Sequence, residues 1–92
     1  MPIAFLIPGY LRQYTDGAAR VETAAAATVG EALQRLWRAQ PGVRDRVVDE
    51  QGNVRPHVNV FVGTESIRFT GGLATPVSDG AEIWIVPAVS GG

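Results

Sequence analysis

The 92-residue chain contains no cysteine and no lysine, has a single histidine, and carries a formal net charge of -1. Without cysteine there is no disulfide, no thiolate nucleophile and no thiolate ligand for a metal. Without lysine no side chain can receive an isopeptide bond, so chains of copies could grow only through the amino terminus. All eight basic residues are arginine, which together with abundant alanine, glycine and valine points to a GC-rich bacterial genome. The small net charge supplies no long-range field to gather nucleic acid or an anionic membrane, and neither is expected as a partner. No apolar run approaches the roughly 20 residues of a spanning helix. The apolar start, Met1 to Pro8, lacks a basic flank and breaks at a proline, so it reads as a strand and not as a signal peptide. A cytoplasmic location and a chain that is monomeric when alone are the resulting expectations.

What is present is a globular composition, 46% hydrophobic and 18% charged. A domain of this size buries roughly 60 to 65% of its unfolded surface, so a single core must supply its stability. Ile3, Phe5 and Ile7 alternate with Ala4 and Leu6, the period of a strand with one face in the core. Residues 10–19 show no period and read as a loop, followed by a second strand over 20–23. Thr28-Val29-Gly30-Glu31 has the form of a capping box. Beyond it Val29, Ala32, Leu33, Leu36 and Trp37 form one helical stripe, which Pro41-Gly42 is expected to end. Residues 44–54 read as a connection. Val58 to Val62 is the clearest strand, and Gly63 to Ser66 a hairpin leading to a short strand over 67–69. Glu82 to Val86 is the last strand. The order predicts an α+β fold: a mixed sheet of about five strands covered on one face by one main helix. The helical crossover lets the first and last strands lie parallel at the centre.

Side chains offer little for catalysis. A Ser-His-Asp arrangement would rest entirely on His57, which sits beside Pro56 at a strand entry and reads as a surface residue. One histidine makes a poor metal site, and no HExxH, Walker or GxGxxG motif is present, so no metal site is expected. Asp49 and Glu50 are neighbours in a turn and point apart, which disfavours paired acid/base work. Gly71-Gly72 could offer amides to a phosphate, but no helix start follows to add a dipole, and loop geometry explains them better.

The end of the sequence stands apart. At an average glycine usage of about 7%, a terminal Gly-Gly arises by chance on the order of 1% of the time or less, so Gly91-Gly92 is informative although a frayed terminus is the ordinary explanation. Lacking Cβ, such residues can thread a narrow channel and bring the carboxylate of Gly92 into another protein's active site. An ionised carboxylate can there attack an ATP α-phosphate to give an acyl adenylate, from which sulfide would make a thiocarboxylate.

Arg68-Phe69-Thr70-Gly71-Gly72-Leu73-Ala74-Thr75, then Asp79-Gly80 and Ile85-Val86-Pro87-Ala88-Val89-Ser90-Gly91-Gly92, resembles the MoaD/ThiS sulfur carriers. The likeness extends upstream through Ile7-Pro8 with Leu11-Arg12, Thr28-Val29-Gly30 and Val58-Asn59-Val60. It is most similar to the CysO type, which serves cysteine synthesis in actinobacteria. The resemblance implies a β-grasp, ubiquitin-like domain over 1–87 with a flexible tail over 88–92. It implies that Gly92 is adenylated by an E1-like sulfurtransferase enzyme and that Val89, Ser90 and Gly91 thread into the partner. It also implies a PLP-dependent cysteine synthase as acceptor and a JAMM-type zinc protease that frees the product. ATP, pyridoxal phosphate and zinc would then belong to partners and none to this chain, which is a carrier and not an enzyme. One departure is Trp84, where a smaller polar residue is usual.

If the core takes Ile3, Phe5, Ile7, Val58, Val60, Val62, Ile83 and Ile85, strand alternation leaves Leu6, Phe61 and Trp84 on the opposite sheet face. Singly exposed apolar residues are ordinary, but three on one face suggest partner docking. Sulfur supply to molybdopterin, thiamine or a thio-sugar, a ubiquitin-like modifier forming isopeptides, and an interaction domain with an inert tail are the competing readings.

Overall fold

A computed structural model describes residues 2–87 and shows an α+β domain. Five strands and two α-helices, with short 3₁₀ turns between some of them, follow in the order β1 (Ile3–Leu6), β2 (Arg20–Thr23), α1 (Val29–Ala39), α2 (Pro41–Val47), β3 (Val58–Val62), β4 (Glu65–Ser66) and β5 (Glu82–Pro87). The strands form one five-stranded sheet in the order β2-β1-β5-β3-β4. β1 and β5 run parallel at its centre and the other neighbours are antiparallel. A parallel pair needs a long crossover, which α1 supplies together with the segments around it. Val29, Ala32, Leu33 and Leu36 of α1 are buried, and with Ile3, Phe5, Val58, Val60, Ile83 and Ile85 they make the core. Each of these side chains other than that of Ala32 contributes about 1.5 to 3 kcal/mol on burial. Val62, at the end of β3, is only half-buried.

The start of α1 uses half of the expected capping box. Thr28 Oγ1 accepts the Glu31 amide at 3.2 Å. The Glu31 carboxylate turns away along the helix and pairs with Arg35, four residues on, at 3.1 Å. The helix begins where that cap predicts, after Thr28.

Three local expectations fail. Residues 10–19 are not simply a loop: Gly9–Tyr14 forms a 3₁₀ helix. Leu11 is driven fully into the core there, and Arg12 Nε ties the turn to the Ile7 carbonyl at 3.1 Å. Pro41 ends α1 but also starts α2, so helix occupies 41–47 and part of the supposed connection over 44–54. Proline suits a first helical position because its missing N–H would be unpaired anyway. Val43 and Val47, one turn apart, are both buried and hold this helix to the core.

Residues 67–69, expected as a strand, form a 3₁₀ turn, and the short strand lies at Glu65–Ser66. Ser66 accepts the Arg68 amide with its hydroxyl at 3.3 Å, which favours turning. The Arg68 side chain then replaces the missing ladder. Its Nη2 donates to the carbonyls of Val58 at 3.1 Å and Pro56 at 3.2 Å, and its Nε to Asn59 Oδ1 at 3.1 Å. A guanidinium with its fixed fork of donors thereby covers the outer edge of β3.

Candidate functional site

Strand alternation sends the even-numbered residues of β1 and β5 to the side of the sheet away from α1. Leu6 pairs with Trp84 across the parallel ladder, and Phe61 pairs with Trp84 across the antiparallel one. The three side chains therefore lie in a single row, with Arg20 beyond Leu6 and Ser66 beyond Phe61. Neighbouring side chains in such a row stand about 4.5 to 5.5 Å apart at Cβ, close enough for continuous apolar contact. Trp84 is 42% exposed, whereas Leu6 and Phe61 are half-buried. Towards one end of the face, Arg20 bonds the Glu82 carboxylate at 3.2 Å and that of Glu22 at 3.4 Å. Its polar character gives the apolar row a charged border.

β5 carries this row and is also the strand from which the chain proceeds to residues 88–92. Pro87 still pairs with Val58, so β5 is held by the sheet up to that point. Val89, Ser90, Gly91 and Gly92 lie outside the described residues, as does the boundary expected after residue 87.

Of the other side-chain candidates, Asp49 has a structural task. Its Oδ1 accepts the amides of Gln51 at 2.9 Å and Asn53 at 3.0 Å, closing a turn. His57 is exposed at the entry to β3. Among the described residues no group of three or more His, Asp or Glu side chains is arranged to hold a metal ion.

The Thr70 to Thr75 segment proves to be a packed buckle against the start of α1. Gly71 and Gly72 both take positive φ, 115° and 62°. Thr75, 5% exposed, donates its hydroxyl to the Gly72 carbonyl at 2.6 Å and lies 3.0 Å from the Thr70 hydroxyl. The Thr75 carbonyl accepts the Val29 amide at 2.9 Å, satisfying one of the unpaired donors of the helix start. Gly30 completes the contact: a Cβ there would stand 3.2 Å from the Leu73 carbonyl oxygen. The glycines of this segment serve chain geometry.

Sequence reasoning passed over two exposed features. Phe69 is 88% exposed on the 3₁₀ turn, where the expected strand would have half covered it. Tyr10, Arg46 and Arg55 line a shared cleft that no spacing pattern announces, because they come from three separate segments.

The comparison that decides the family is a match of the ThiS family model to residues 5–92. The chain belongs to the ThiS family. This ThiS-family chain is 37% identical over 94 residues to sulfur carrier protein CysO of Mycobacterium tuberculosis, an alignment covering 100% of both chains. The crystal structure of that CysO superposes with a TM-score of 0.87 at 36% identity, over 95% of this chain and 99% of the other. A chain of the Amycolatopsis orientalis BexX/CysO complex matches with a TM-score of 0.88 at 38% identity, over 98% and 99% of the two chains. Small archaeal modifier protein 1 of Haloferax volcanii is also similar, with a TM-score of 0.82 at 29% identity over 100% of both chains. The ThiS-family protein is thus a homologue of sulfur carriers, a ubiquitin-like β-grasp domain of the carrier kind and not an enzyme. No helix among its described residues is long and apolar enough to cross a membrane.

Proposed function

We propose that the protein carries sulfur on Gly92 for cysteine biosynthesis. The supporting observation is the similarity to CysO, which runs the whole length of both chains and includes Gly91-Gly92. In this reading an E1-like enzyme binds the carrier and the Gly92 carboxylate oxygen attacks the ATP α-phosphate, expelling pyrophosphate. Sulfide then attacks the carbonyl carbon, AMP leaves, and one carboxylate oxygen has been replaced by sulfur. The chain contributes no side chain to these steps. Val89, Ser90 and Gly91 thread the partner's channel, where the two glycines permit close backbone approach. Leu6, Phe61 and Trp84 form the docking face, with Trp84 the anchor, because large aromatic residues dominate the energetics of such contacts.

ATP, pyridoxal phosphate and zinc are held by the partners: the activating enzyme, a PLP-dependent cysteine synthase and a JAMM-type zinc protease. The work is cytoplasmic. That a similar carrier was crystallised together with a second protein, BexX, supports protein partners. Intact mass of the protein from its native cell is the test. Exchange of one oxygen for sulfur, and a form bearing added cysteine, are expected. Removal of Gly91 and Gly92 abolishes both. Sulfur supply that persists without those two residues would refute the reading. The similarity to an archaeal modifier protein favours one rival, in which Gly92 ends in an isopeptide, and conjugates of higher mass would identify it.

A further inference from the structure

A cleft of about 480 Å³ opens at one end of the sheet, and the proposed carrier function makes no use of it. Three segments meet there. Tyr10 and Tyr14 come from the 3₁₀ helix after β1, Asp45 and Arg46 from α2, and Arg55 and His57 from the approach to β3. The Arg55 amide bonds the Val47 carbonyl at 2.9 Å and its Nε the Asp45 carbonyl at 2.8 Å, which fixes two of the walls together.

The lining is rich in donors and poor in acceptors. The Arg46 guanidinium lies 5.0 Å from the centre of the Tyr14 ring, and no carboxylate pairs with it among the described residues. The terminal nitrogens of Arg55 and the ring nitrogens of His57 likewise have no acceptor among the described residues. Asp45 is the one acid of the lining, and its carboxylate is engaged by Arg44 at 3.1 Å on a side chain that is 83% exposed. Partial desolvation raises the Tyr10 phenol above its ordinary 10, so it remains an O–H donor. In a chain of net charge -1, two guanidiniums lining one cleft with no carboxylate partner among the described residues are a local concentration of positive charge.

We propose that this cleft binds a small organic phosphate. Two arginine forks and an imidazole approaching from different walls match the several oxygens of a phosphate dianion, which a single carboxylate would not fill. The volume falls within the range of small-molecule sites, and the two tyrosine rings offer apolar surface to the organic part. His57 immediately precedes Val58, the partner of Pro87, so the bound phosphate sits beside the point where the chain leaves the sheet. The inference is independent of sulfur transfer.

Titration of the full-length ¹⁵N-labelled protein at constant ionic strength tests it, with inorganic phosphate, adenosine monophosphate, chloride and a glutamate-rich peptide as probes. Saturable amide shifts confined to 10–14, 45–46 and 55–57 are expected with both phosphates, adenosine monophosphate binding more tightly. Arg46 makes no hydrogen bond within the described chain, so Arg46→Gln should fold normally and weaken phosphate binding about tenfold, the usual scale for one charge-assisted contact. Arg46→Lys keeps the charge without the fork and should fall between. Shifts that do not saturate, that chloride reproduces, or that Arg46→Gln leaves unchanged overturn the proposal, as does tighter binding of the glutamate peptide.

Discussion

Replacing Gly30 by alanine sets two effects of opposite sign against each other. Gly30 is the second residue of α1, and in an open helix alanine would be favoured over glycine by about 1 kcal/mol. Here the new Cβ would lie 3.2 Å from the Leu73 carbonyl oxygen and 3.3 Å from Leu73 Cβ, closer than ordinary van der Waals contact. Leu73 is poorly able to retreat. The Ala74 amide bonds Gly71 O at 3.2 Å, the Thr75 amide bonds Gly72 O at 3.1 Å, and Thr75 O holds the Val29 amide of the same helix at 2.9 Å. Overpacking of a confined site typically costs about 1 to 3 kcal/mol. Subtracting the propensity gain leaves a net loss of about 1 kcal/mol, which in a domain of this size lowers Tm by about 4 to 8 °C. Thermal and urea unfolding followed by circular dichroism measure it, with Gln34→Ala on the exposed side of α1 as a near-neutral control. A Gly30→Ala protein with a raised Tm would show that the Thr70 to Thr75 buckle yields freely, and the packing account of that segment would be wrong.

Trp84→Ala should leave the fold intact and weaken binding to the proposed activating enzyme by about 2 kcal/mol or more, roughly 30-fold, as truncation of an interface anchor does; equal affinity, read by calorimetry, would remove the proposed docking role. Arg68→Met retains the apolar stem but leaves the Val58 and Pro56 carbonyls without their side-chain donor. A loss of about 1 to 2 kcal/mol in urea unfolding is expected, with faster amide exchange along the outer edge of β3. Tyr10 has a raised pKa in the folded protein because burial disfavours its phenolate. Its contribution is therefore complete below pH 10 and declines as pH climbs from 10 through the folded value. Tyr10→Phe should flatten that alkaline decline in chemical unfolding, and an unchanged slope would assign it to other groups.

The readable parts of the sequence were those governed by short-range periodicity. Alternation in Ile3 to Leu6 and Glu82 to Val86, the strong run at Val58 to Val62, and the Thr28 cap before a helical stripe each lie within one element, and the parallel centre follows from their order. The row of Leu6, Trp84 and Phe61 was also legible, since a period of two places residues on a face before any register is known. The likeness to the ThiS family rested on motif residues; loop geometry already accounted for Gly71-Gly72 and their positive φ bears it out, whereas the close packing of Gly30 against Leu73 was not evident.

Tertiary structure decided the remainder. Pro41 carries the same local meaning as a stop and as a first helical residue, and only the core's demand for Val43 and Val47 selects α2. Residues 67–69 have a strand-like pattern, but Ser66 and the Arg68 guanidinium turn them away and cover the sheet edge. The cleft of Tyr10, Arg46, Arg55 and His57 exists because three segments distant in sequence are brought together when the sheet and helices close on one core. Hydrophobic burial is non-directional and acts across the whole chain, so its local consequences at such junctions follow from the assembled fold and from no single stretch of residues.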